Sequence, residues 1–181
     1  MKKTLVKTSL LACLTLLLSF PSSAFGWKTA SQDTQKQAAG TEAAQTLRYD
    51  FKSGDTLISM DADADQLLPL LGTPKRTFEQ DSCAYQGKDK VYTFDGFELS
   101  VYPKNGKNLV ASVYIPADSK ASTPEGIGIG ASADAVIKAY GPDYVEQWGV
   151  YRYTASGTTL VFYTTNGAVD AIEYQLQENL Q

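Results

Sequence analysis

The 181-residue chain carries 16 basic and 20 acidic residues, for a net charge of −4, and no histidine. Without histidine there is no Ser-His-Asp or Cys-His nucleophile and no His-based zinc site. The acidic balance disfavours nucleic acid and anionic lipid as partners, because both need a basic face.

Met1, Lys2, Lys3 and Lys7 precede an almost wholly apolar run from Thr8 to Phe20, and Pro21, Ser22, Ser23 and Ala24 follow. A basic start, a short apolar stretch and small residues form the layout of a secretory leader over residues 1–24, cut after Ala24. The run falls short of the roughly 20 residues that span a bilayer, so no transmembrane segment is expected in the mature chain. Leu10-Leu11-Ala12-Cys13 resembles the lipobox of bacterial lipoproteins and offers a second reading, with Cys13 lipidated. Against it, the most apolar part of the leader lies after the cysteine. Cleavage removes Lys2, Lys3 and Lys7, which takes the net charge from −4 to −7. Only Cys83 then remains, so no intrachain disulfide is expected. The protein is read as exported through the Sec pathway, to the medium or the cell surface, with a lipid anchor at Cys13 as the alternative.

Residues 27–46, the bulk of a segment 25–46 between leader and domain, are Ala, Gln, Thr and Lys with little apolar content beyond Trp27. They show no helical or strand periodicity and read as a flexible polar tether. A folded domain is expected over residues 47–181, opening with a strand from Leu47 to Phe51.

An internal repeat organises the domain. Ile58 to Gly72 (ISMDADADQLLPLLG) lies over Ile127 to Gly141 (IGIGASADAVIKAYG), and Asn105-Gly106 lies over Asn166-Gly167. The copies span about 58–115 and 127–176, with an insertion around residues 79–88 in the first and a linker at residues 116–126. Each opens with a short helix capped by Asp63 or Ser132 and ended by glycine. Alternating runs follow: Phe97, Leu99 and Val101 face one way, and Leu160 and Phe162 oppose Thr159, Val161 and Tyr163. The Asn-Gly pairs are hairpin-turn signals. The expectation is an α+β domain of two tandem helix-plus-antiparallel-meander repeats, with the helices packed on one face of the sheet.

The Ile-x-Ile-Gly lead, the capped helix ending in Tyr140-Gly141-Pro142 and the meander resemble the tandem repeats of the β-lactamase inhibitory protein. They are also similar to small outer-membrane assembly lipoproteins. The resemblance implies that fold and a protein-binding role for the sheet. It transfers no inhibitory residue and no target.

Three motifs invite chemistry and have plainer accounts. Asp61-Ala-Asp63-Ala-Asp65 opens like a calcium loop, but Gln66 and Gly72 stand where the loop needs glycine and glutamate. Asp63 reads as a helix cap, with Gln66 completing a capping box, and Asp65 as a first-turn carboxylate. Gly126-x-Gly128-x-Gly130 lacks the preceding strand and the βαβ context of a dinucleotide site. Cys83 reads as a buried small hydrophobe, since unpaired cysteine is among the most buried residue types. No catalytic residue, metal ligand or cofactor is assigned.

Eleven tyrosines remain to be placed. Tyr102, Tyr114 and Tyr163 are out of phase with the apolar positions of their strands, which puts them on the uncovered face. The function expected is that of a non-catalytic binding protein whose partner, a protein, peptide or glycan, engages that face. A small hydrolase using paired carboxylates is the alternative, because Asp and Glu are the acid–base groups left without histidine. A structural cell-envelope component is the third reading.

Overall fold

The computed structural model describes residues 47–177; the expected leader, the tether and Cys13 lie outside them. Strands β1 (Phe51–Ser53) and β2 (Thr56–Ile58) form a small two-stranded sheet of their own. The strand expected from Leu47 therefore begins only at Phe51. Helix α1 (Ala64–Leu71) follows, then β3 (Arg76–Asp81), β4 (Lys88–Thr93), β5 (Glu98–Lys104) and β6 (Lys107–Ile115). The second half holds α2 (Ala133–Tyr140), β7 (Val145–Gln147), β8 (Val150–Ala155), β9 (Thr158–Thr165) and β10 (Ala168–Leu176).

The architecture corrects the expected class. The domain is mostly β: one eight-stranded antiparallel sheet in the order β3-β4-β5-β6-β10-β9-β8-β7, plus the small sheet and two helices of eight residues. It is not a pair of helix-plus-meander repeats. Three causes account for the difference. The helices stop after two turns, at Gly72 and Gly141, with Pro69 inside α1. The runs Arg76–Asp81 and Val145–Gln147 are exposed throughout and show no alternation, yet they pair as the two edge strands. The halves also fuse in the middle, where β10 pairs with β6 from Ile172↔Ile115 to Gln175↔Ser112. The stretch read as an insertion is the outer part of the β3–β4 hairpin.

Local chemistry explains the elements. Asp63 Oδ1 accepts the Asp65 N–H at 3.1 Å, and Ser132 Oγ accepts the Ala135 N–H at 3.2 Å, so each helix start has a side-chain acceptor. Asn105 and Asn166 both adopt φ 53°, with glycine next, and turn β5 into β6 and β9 into β10.

One face of the sheet carries the core. Leu99, Val113, Ile115, Leu160, Phe162 and Ile172 have no exposed surface, and Phe51, Ile58, Met60, Ala64 and Val136 join the same cluster. The β1–β2 hairpin and both helices thus cover this face.

Gly149 clamps the β7–β8 turn. It has φ 78°, and a Cβ there would lie 2.9 Å from the Thr164 carbonyl oxygen. The Thr164 N–H and hydroxyl both donate to the Gly149 carbonyl, at 2.9 and 2.8 Å. Gly149→Ala should therefore cost roughly 2 kcal/mol, from the left-handed backbone and the clash together. An unchanged urea midpoint would refute this account of the turn.

Candidate functional site

The face opposite the core carries Tyr102, Tyr114 and Tyr163, whereas Tyr153 and Tyr174 belong to the core. Along β5, Leu99, Val101 and Pro103 are buried, while Glu98, Ser100, Tyr102 and Lys104 alternate with them on the other face. A row of cross-strand partners runs over this second face through the whole sheet: Arg76, Thr93, Glu98, Tyr114, Glu173, Val161, Arg152 and Val145. Arg76 lies 3.6 Å from Glu98, and the Thr93 hydroxyl donates to Glu98 at 3.1 Å.

The face is less bare than the alternation implies. Val161 and Ala171 sit on it and are buried, at 1 and 7 % exposure. Register gives the reason: Val161 lies between Arg152 and Glu173, whose long side chains flank it.

The structure separates the three tyrosines. Tyr114 and Tyr163 share one hollow of about 470 Å³ with Val150 and Ala171. Tyr163 donates to Glu173 Oε2 at 2.9 Å. Burial first, and then Glu173, push its hydroxyl up to about 12. Tyr102 lies in another hollow of about 900 Å³, floored by Val91, Ser100 and Ala111 and edged by Lys90 and Lys104. Its hydroxyl donates to Asp61 Oδ1 at 2.6 Å, and its ring meets Tyr85 at 5.5 Å between centroids. Burial, followed by the bond to Asp61, holds the Tyr102 hydroxyl well above the usual phenol range. Both hydroxyls are therefore neutral, fixed in place and aimed by carboxylate partners.

Sequence reasoning missed Tyr85 and Trp148. Tyr85 belongs to the β3–β4 turn, which periodicity does not describe. Trp148 forms the β7–β8 turn with φ 53° and 89 % exposure. Its signal was present: Trp148-Gly149 stands before Val150 as Asn105-Gly106 stands before Lys107. A bulky residue in the left-handed region is unusual, and turns of this kind concentrate at functional sites.

Cys83 is corrected. It is free and exposed, because it belongs to the turn from Ser82 to Gly87 rather than to a core strand. The Asp61–Asp65 carboxylates are spent on structure, in Tyr102, the α1 cap and Asn108, which donates to Asp65 at 3.1 Å. Among the described residues, no three His, Cys, Asp or Glu side chains converge as a metal site, and no carboxylate is buried. A polar hollow of about 640 Å³ at the Asp95–Gly96 turn is edged by the exposed Lys75–Asp95 pair, 2.8 Å apart. Lys75 holds the Asp95 carboxyl below its usual range. Among the described residues no helix is long and apolar enough to cross a membrane.

No protein-family model, curated protein or solved structure matches the chain.

Proposed function

We propose that this is an exported, non-catalytic binding protein whose uncovered sheet face engages a protein, peptide or glycan. The observation that carries the reading is the Tyr102 hollow. It has the size of a ligand cleft, about 900 Å³, and presents Tyr102 and Tyr85 beside Lys90 and Lys104. Tyrosine offers large contact area at low entropic cost, and a ring already held by Asp61 loses little further freedom on binding. The hydrolase alternative has less support, since no described carboxylate is buried.

Pull-down with the mature domain, followed by affinity measurement, tests the reading. Tyr102→Ala should weaken a captured partner by about 2 kcal/mol, as for a hot-spot residue. Tyr163→Ala serves as the second arm and reports whether the Tyr114–Tyr163 hollow contributes. Each variant also gives up one hydrogen bond, so a stability loss of about 1 kcal/mol is expected and is subtracted by working far below the melting temperature. Unchanged affinity in both variants sinks the proposal.

A further inference from the structure

A second, smaller cavity lies on the opposite face of the sheet, between the start of β1, the loop at Pro124–Glu125 and the end of α2. It encloses about 220 Å³. Tyr174 of β10 lines it, is 1 % exposed, and has a buried hydroxyl without a hydrogen-bond partner. Buried polar atoms in folded proteins are almost always satisfied, and an orphan asks for a partner not yet present.

The surrounding groups define what that partner must be. Tyr140 donates its hydroxyl to Glu125; the Tyr140 and Tyr174 hydroxyls act on each other, but no bond of good geometry joins them, which leaves Tyr174 Oη without a partner. The two phenols nevertheless lie close enough to affect each other's ionisation, and Glu125 and Asp50 both act on Tyr174. Arg48 is already engaged, with Nε donating to Asp50 at 3.0 Å and the guanidinium donating to the Met60 carbonyl. Two carboxylates against one guanidinium leave a net negative charge. The Tyr49 and Tyr140 rings meet edge to face, with centroids 6.0 Å apart, and form an aromatic wall.

We infer that this cavity binds a primary alkylammonium group, with Tyr174 Oη and the Glu125 carboxylate as acceptors and the Tyr49 and Tyr140 rings as walls. An ammonium carries three donors and no acceptor, which matches a site rich in acceptors. Aromatic faces add cation–π attraction. An anion would meet two carboxylates. A water would satisfy Tyr174 but brings no charge to pair with Glu125, which stands exposed at the rim of the cavity. This site and the tyrosine-bearing face lie on opposite sides of the sheet, so either reading can fail without the other.

NMR titration of the full chain tests the inference at constant ionic strength, with propylammonium, tetramethylammonium and acetyl-lysine amide as probes and sodium chloride as control. Propylammonium should give saturable shifts around Tyr174. Tetramethylammonium, with no N–H to donate, should bind about tenfold more weakly. Glu125→Gln should cost about tenfold in propylammonium affinity and Tyr174→Phe about fivefold. Tyr174→Phe deletes an orphan hydroxyl, so the ligand-free variant should be at least as stable as the parent, which separates lost binding from lost folding. Equal binding of acetyl-lysine amide assigns the ammonium to a protein lysine, and binding of propylammonium alone assigns it to a free amine. The inference is overturned if neither amine saturates beyond the salt control, if tetramethylammonium binds equally, or if both variants keep parental affinity.

Discussion

Phe162→Ala is expected to lower the unfolding free energy by about 3–5 kcal/mol, the range for removing a fully buried aromatic side chain. Phe162 has no exposed surface and sits at the middle of β9. Its ring lies 5.2 Å from Tyr140 and 6.1 Å from Tyr153, so it joins the end of α2 to the sheet. Neither neighbour can collapse freely into the space. The Tyr153 hydroxyl donates to the Gly141 carbonyl at 3.2 Å, and the Tyr140 hydroxyl is held by Glu125. A cavity should therefore persist, and its cost adds to the lost transfer free energy. Against a domain stability of about 5–15 kcal/mol, the loss is a large fraction of the total. Guanidinium unfolding followed by far-UV circular dichroism measures it. A change below about 1 kcal/mol would show that this part of the core relaxes, contrary to the account given.

The contrast with Tyr163, one residue on, is the sharper part of the expectation. Strand parity sends Tyr163 to the other face, where truncation removes its bond to Glu173 and no part of the helix-side core. The two substitutions should differ several-fold in stability.

How far the sequence could be read depended on the range of the interaction concerned. Signals carried by adjacent residues were legible. Asp63 and Ser132 cap helices because their acceptors reach N–H groups two or three residues on. Asn105-Gly106 and Asn166-Gly167 turn the chain because two consecutive residues take positive φ. The alternation of Leu99 and Val101 with Ser100 and Tyr102 was also visible, since one strand displays it alone.

What depends on distant partners was not legible. Nothing within Arg76–Asp81 marks it as a strand, because an exposed edge buries neither face and leaves no alternation. The β6–β10 join, which makes one sheet of the two halves, is a pairing between segments far apart in sequence. Parity puts Val161 on the face of Tyr163, yet it is buried, because residues on two neighbouring strands flank it. The candidate sites divide in the same way. The face on which Tyr102, Tyr114 and Tyr163 stand followed from parity. That Tyr102 keeps company with Tyr85, and that Tyr174 is left with an orphan hydroxyl, are facts of tertiary packing alone.

Alkali should unfold the protein between about pH 10 and 12, and the tyrosines should be the cause. Tyr153 and Tyr163 are each pushed up to about 12, in both cases mainly by burial. Tyr49, Tyr102, Tyr140 and Tyr174 are raised as well, again with burial as the first cause. In the unfolded chain all six ionise near pH 10. Above that pH the unfolded state binds fewer protons than the folded one, so the unfolding free energy falls as pH rises. The stabilisation is complete below pH 10 and is lost as pH climbs through the folded-state values. One tyrosine contributes a slope of at most about 1.4 kcal/mol per pH unit. For the buried Tyr153 this amounts to about 2 kcal/mol by pH 12, and for the half-exposed Tyr163 to less, since water screens its charge. The other four act in the same direction, so the loss grows as the pH climbs. With no histidine in the chain, the same measurement should be nearly flat between pH 6 and 8. Urea midpoints collected across the range, with phenolate absorbance near 295 nm read in parallel, provide the check. Ionisation should be delayed beyond pH 10 and then proceed together with unfolding. Independent titration of most tyrosines near pH 10 with the fold intact would contradict the burial described for Tyr140, Tyr153 and Tyr174.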